Sequence, residues 1–96
     1  MVPVRVCDYY GQEWDTTSVD FGITSMKVLV PGAVRPEPAV ELSFTPPGDA
    51  ERLQVVSLLI RAELDACVFY FSNLTEPQLE RLTRLVRRLT ALPCPP

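Results

Sequence analysis

The side chains able to do chemistry in this chain are carboxylates, arginines and thiols, because it contains no histidine. Imidazole is the commonest general base and the usual partner of a serine or cysteine nucleophile, so the standard triads are absent. Carboxylate pairs remain as acid–base candidates. Asp8 with Asp15, and Glu63 with Asp65, are close in sequence. Both pairs fall in or beside segments expected to turn, where solvated charge is ordinary and the burial that shifts a catalytic pKa is not expected. Cys7, Cys67 and Cys94 are widely spaced with no CxxC pair, so neither a zinc site nor a redox dithiol is encoded. No metal and no cofactor is expected. Cys67 sits in an apolar run and reads as a small core residue. Gly11, Gly22, Gly32 and Gly48 stand singly, so no phosphate-cradling loop is present. The expectation is a protein that is not an enzyme and works by binding.

Two groups of residues could serve binding. Tyr9, Tyr10 and Trp14 gather aromatic rings around one expected turn; such rings anchor interfaces, or simply lid the end of a small barrel. Arg81, Arg84, Arg87 and Arg88 lie in the last amphipathic segment, where they could meet an acidic partner or form a solvated helix face. Tyr9, Tyr10, Trp14, Arg84 and Arg88 are therefore the candidate partner-binding residues. The formal net charge of −3 argues against nucleic acid, which needs a positive field.

The elements that must position these residues are short. Ninety-six residues with ten prolines suit one domain cut into brief elements by rigid connections, which favours β architecture. Residues 2–6 alternate as a first strand, placed at an edge where Pro3 is tolerated. Residues 8–15 are expected to turn, and 16–21 with 25–30 form a hairpin broken at Gly22. Val40, Leu42 and Phe44 alternate with Glu41 and Ser43 in a half-buried strand. Pro46-Pro47-Gly48-Asp49 is a turn by its chemistry. Residues 50–64 read either as a helix capped by Asp49 or as a strand buried on both faces, with local pattern slightly favouring the helix. Residues 66–72 have strong β propensity. A final helix over 75–92 carries a capping box, Thr75 and Gln78, a proline in its first turn, and a leucine stripe running from Leu79 to Leu92. Pro93 stops it. The N-terminus lacks a signal-peptide pattern and no apolar stretch reaches the roughly 20 residues that cross a bilayer. With free thiols as well, a cytoplasmic location without membrane insertion is expected.

This order of elements resembles the PilZ domain, a six-stranded antiparallel β-barrel with a helix beside it. The nearest likeness is Val19-Asp20-Phe21-Gly22-Ile23-Thr24-Ser25-Met26-Lys27-Val28, which is similar to the family's DxSxxG segment followed by an apolar strand. Val68-Phe69-Tyr70-Phe71-Ser72-Asn73-Leu74 resembles its last strand entering the helix. The resemblance implies one domain over 1–96, with the barrel at about 2–73, the helix at about 75–92 and a short proline-rich tail over 93–96. It also implies that residues 50–64 hold a strand, overriding the local helix preference.

Departures from the pattern shape the functional expectation. PilZ domains commonly bind cyclic di-GMP through an RxxxR segment before the first strand together with DxSxxG. Here Arg5 has no such companion. Asp20 is kept, but Gly22 replaces the serine and Ser25 replaces the final glycine. Without the arginine forks that pair with phosphate and guanine, useful binding of cyclic di-GMP is not expected. The resemblance then implies a divergent interaction module acting on protein partners in bacterial signalling, type IV pilus assembly, motility, surface polysaccharide or virulence. The alternative is a cyclic di-GMP receptor with unusual contacts, for instance Arg35 and Lys27 around Asp20.

Overall fold

The computed structural model describes residues 2–32, 34–46 and 50–90, the last three by backbone alone. The expected turn over 46–49 beyond Pro46, the expected helix end at 91–92, Cys94, the tail over 93–96 and the Arg88 side chain lie outside the described residues. Six strands follow one another as β1 (Pro3–Asp8), β2 (Glu13–Phe21), β3 (Ser25–Leu29), β4 (Ala39–Phe44), β5 (Leu53–Ala62) and β6 (Ala66–Phe71), and helix α1 (Glu76–Thr90) comes after them. Around the wall the order is β1-β2-β3-β6-β5-β4, all pairs antiparallel, closed into a barrel.

Closure removes sheet edges, so the edge position expected for the first strand does not exist. Pro3 is accommodated differently. β1 pairs with β2 from Pro3 onward, but with β4 only from Arg5, opposite Ser43. Pro3 thus lies beyond the β1–β4 ladder, where its missing N–H breaks no bond on that side.

The segment with two local readings is a strand. In β5, Leu53, Val55 and Ser57 are buried while Gln54, Val56 and Leu58 are exposed. That is the period of two expected of a pleated strand with one inward face. Its inner residues join Val4, Val6, Met26, Val28, Leu42, Phe44, Phe69 and Phe71 in a single core. Phe21 packs edge-on to Phe44, with ring centroids 5.5 Å apart.

The first turn is shorter than expected. Asp8 Oδ1 accepts the N–H groups of Tyr10 and Gln12 at 2.8 and 2.9 Å, and Gly11 supplies the left-handed backbone with φ of 94°, a conformation glycine adopts without a Cβ penalty. With the reversal confined to residues 9–12, Glu13, Trp14 and Asp15 join β2. Trp14 faces the core opposite Val6 and is 8% exposed, so it is a core residue and not a partner-binding anchor.

The helix starts as expected. The Thr75 N–H donates to Gln78 Oε1 at 3.1 Å and the Gln78 N–H donates to Thr75 Oγ1 at 3.3 Å, the two halves of a capping box. Leu82 and Leu85 are buried, and Leu82 belongs to the barrel core. Leu79, expected on the same stripe, is 43% exposed. The docking face is therefore narrower than the leucine spacing implies. It is supplemented by polar contacts, Gln78 Nε2 to the Gln54 carbonyl at 2.9 Å and the Arg81 guanidinium to the Glu51 carbonyl.

Candidate functional site

The motif-like residues Asp20, Gly22 and Ser25 do come together. They line a cleft of about 290 Å³ on the outer barrel wall with Lys27, Arg61, Glu63 and Val68. Its floor is a single row of paired positions crossing four strands: Asp20 opposite Lys27, Lys27 opposite Val68, and Val68 opposite Arg61.

Two β-bulges build that row. The β2–β3 register shifts between Ser18 and Asp20, and the β5–β6 register shifts between Leu59 and Arg61. Ser18 faces inward, where its Oγ accepts the Val2 N–H at 2.9 Å. Strict alternation would turn Asp20 inward as well. The extra residue, Val19, resets the period so that Asp20 faces solvent and Phe21 returns to the core, as bulges commonly re-aim side chains. Ile60 does the same on β5, leaving Leu59 against the core and Arg61 outside.

At the start of the hairpin the Gly22 N–H donates to the Ser25 carbonyl at 2.8 Å. A Cβ placed on Gly22 would meet nothing closer than that oxygen at 3.6 Å. The glycine is therefore not required by space, and the missing serine hydroxyl is a chemical difference only. Asp20 Oδ1 accepts the Phe21 N–H at 2.9 Å, which turns the carboxylate partly onto its own backbone.

The cleft's charges cancel. Glu63 accepts from Lys27 Nζ at 2.8 Å through Oε1 and from Arg61 Nε at 3.2 Å through Oε2. The hydrogen bond from Lys27 holds the Glu63 carboxyl below the usual carboxylate range against the opposing effect of burial, with the Lys27 and Arg61 charges helping. Two cations and two carboxylates line the cleft, so a phosphate entering it meets no net positive charge and must compete with Glu63 for both donors.

The other sequence candidates are spread apart. Tyr9 and Tyr10 stand exposed on the turn between β1 and β2, at 62% and 86%, away from the cleft lining. Arg84 is exposed on α1, beside Leu79, Thr83 and Arg87. Arg35, raised as an unusual nucleotide contact, is exposed in the loop before β4 and does not line the cleft. Arg61 takes the place proposed for it, and the sequence offered no sign of that because a bulge leaves no trace in a two-residue period. The carboxylate pairs do not form catalytic dyads: Asp8 fastens its turn, Asp15 pairs with Arg5, and Glu63 binds the cleft cations. Cys67 is fully buried, and burial pushes its thiol up to about 11. Among the described residues no cluster could hold a metal ion, and no helix is long and apolar enough to cross a membrane.

A third feature was not anticipated. Val56, Leu58 and Ile60 of β5 point outward with substantial exposure, and Tyr70 of β6 lies directly opposite Leu58. Ala39 flanks Leu58 on the other side. An outward strand face is normally polar, so this stripe across β4, β5 and β6 is a departure from ordinary patterning.

No protein-family profile matches the sequence, and no curated protein matches it. Among solved structures, the PilZ domain of CeSA from a cellulose-synthesizing bacterium is 23% identical, with a TM-score of 0.71 over 93% of this chain and 92% of that one. The Bacillus subtilis inhibitor of motility, MotI/DgrA, is 12% identical with a TM-score of 0.81 over 97% of this chain. This chain covers 49% of that protein, about half its length. At such identities the likeness speaks for the fold: the closed six-stranded barrel with one C-terminal helix is the PilZ fold that the sequence resemblance implied.

Proposed function

We propose that this chain is a non-enzymatic docking module of PilZ fold, acting in the bacterial cytoplasm by binding protein and holding cyclic di-GMP poorly. The observation that carries the docking half is the apolar stripe of Val56, Leu58, Ile60 and Tyr70. Contiguous exposed apolar surface on a small domain marks an interaction site more often than scattered single residues do. The neutral cleft supports the other half, since its cations are already engaged by Glu63. Signalling, type IV pilus assembly, motility or virulence is the setting the resemblance suggests, and one structural neighbour is itself an inhibitor of motility. Tyr9, Tyr10 and Arg84 are exposed enough to add contacts.

Two measurements test this. Calorimetric titration with cyclic di-GMP gives no heat of binding; a dissociation constant in the low micromolar range overturns that half. Affinity capture from the native host compares the natural chain with Leu58→Lys and with Glu13→Lys, a change at an exposed site remote in the ladder. A partner lost only with Leu58→Lys supports the stripe, and one retained equally by all three overturns it. The second reading, a nucleotide receptor gripping its ligand with Lys27 and Arg61 around Asp20, is favoured by the cleft itself. The same titration separates the two.

A further inference from the structure

A second row of paired outward positions crosses β2, β1, β4 and β5: Asp15 opposite Arg5, Arg5 opposite Ser43, and Ser43 opposite Gln54. Arg5 Nε donates to Asp15 Oδ1 at 3.0 Å, which engages one of the five guanidinium donors. Arg52, exposed just before β5, lines the same hollow of about 140 Å³ with Arg5, Asp15, Thr16 and Ser43. It forms no ion pair with a described residue.

Ser43 supplies an independent sign. It is only 5% exposed, and its Oγ has no hydrogen-bond partner among the described residues. The neighbouring Thr16 hydroxyl donates to the Leu29 carbonyl and makes no bond to Ser43 Oγ. A buried hydroxyl left unsatisfied is uncommon and carries a desolvation cost. Here it lines a pocket with two guanidinium groups, and an oxygen that accepts from all three completes the set. Charge narrows the class. Two arginines against Asp15 leave the pocket at +1, which matches a monoanion, whereas a phosphate dianion would also face the Asp15 carboxylate. A carboxylate has the planar pair of oxygens that suits a guanidinium fork.

We infer that this hollow is a carboxylate-binding site, in which Arg5 and Arg52 hold the charge and Ser43 Oγ–H donates to a carboxylate oxygen. The assignment stands apart from the cleft and from the apolar stripe, and it does not depend on either. It differs from the cleft in kind: there a glutamate of the chain occupies both cations, while here Arg52 has no carboxylate partner among the described residues.

The test is a titration of isotope-labelled protein with sodium acetate, followed by amide chemical shifts against sodium chloride of equal ionic strength. Saturable shifts at Arg5, Ser43 and Arg52, absent with chloride, are expected. Ser43→Ala should weaken binding by about tenfold, the worth of one hydrogen bond to a charged group. Arg52→Gln should remove saturation. Blocked glutamate binding tighter than acetate identifies a peptide-borne carboxylate as the source, and equal binding identifies a free acid; both support the class. Shifts that match those of chloride overturn the assignment. So does a Ser43→Ala chain that retains its fold, by its own spectrum, and binds acetate as tightly as the natural one.

Discussion

Replacing Leu82 by alanine tests how the helix is held, and hence which of its faces is presented. Leu82 is fully buried and belongs to the barrel core, while Leu79, on the preceding turn, is 43% exposed. Burying a leucine side chain contributes about 2 kcal/mol from transfer alone, and the cavity left by truncation raises the cost to about 3 kcal/mol or more. For a domain of this size the urea dependence is on the order of 1 kcal/mol per molar, so the midpoint should fall by about 3 M. Stability of a chain this long is roughly 5–14 kcal/mol; the variant should therefore still fold, though with a large share of its margin gone. Two probes separate local from global loss. Trp14 fluorescence reports the barrel core, and far-UV circular dichroism reports the helix. Because Leu82 packs into the same core, both transitions should move together. Leu79→Ala is the control and should shift the midpoint by under about 1 M, since only part of its side chain is covered and alanine favours the helix. If the two variants unfold at the same urea concentration, Leu82 does not anchor the helix, and the outward placement of Arg84 loses its basis.

The cleft and the core thiol give two further outcomes. Glu63→Gln removes the counter-ion shared by Lys27 and Arg61 and takes the cleft from neutral to +1; combined with Gly22→Ser, which the space at residue 22 admits, it should yield a heat of binding with cyclic di-GMP that the natural chain lacks. Absence of heat from that double variant would refute the idea that Glu63 and the lost serine hydroxyl are what keep the nucleotide out. Cys67 makes stability pH-dependent in the alkaline range. The unfolded thiol releases its proton near 9.0 whereas the folded one holds it to about 11, so the folded state is undisturbed below pH 9 and loses ground as pH rises between the two values. The loss is about 1.4 kcal/mol per pH unit and at most about 3 kcal/mol. Urea midpoints of the natural chain and Cys67→Ala, measured from about pH 8 to pH 11, should converge on rising through that window; parallel curves refute the assignment.

How much of the barrel could be read in advance depended on whether each strand's outward face was polar. In β4, Glu41 and Ser43 alternate with Val40, Leu42 and Phe44, so the strand is plain from its pattern. In β5 the outward Val56, Leu58 and Ile60 are as apolar as the inward Leu53 and Val55, so alternation is hidden and a helix fits the run equally well. Only the barrel's need for a strand between β4 and β6 decided it. The same apolar outward residues that concealed the strand form the stripe across β4, β5 and β6. Difficulty in reading β5 and its candidate role thus have one cause. Trp14 was misplaced for a different reason, since Asp8 and Gly11 close the reversal within four residues and return the chain to the sheet sooner than its polar composition suggests.

Charge on this barrel is organised by ladder rows rather than by sequence neighbours. Asp20, Lys27 and Arg61 come from three strands, and two bulges are needed before they share a face. Arg5 and Arg52 lie far apart in the chain, yet the β1–β4 and β4–β5 registers bring both to Ser43. A motif search inspects contiguous residues and so finds Asp20, Gly22 and Ser25, the part of the cleft that one hairpin supplies. It misses the glutamate that neutralises the cleft, and it misses a hydroxyl whose meaning lies only in having no partner. The two rows carry opposite instructions to an anion. In the first, a carboxylate of the chain engages both cations, and an incoming phosphate must displace it. In the second, a net positive charge and an unsatisfied donor remain among the described residues. A chain whose motif-bearing cleft is neutral can therefore still recognise an anionic group, provided it is small, singly charged and presented to the β1–β4 wall.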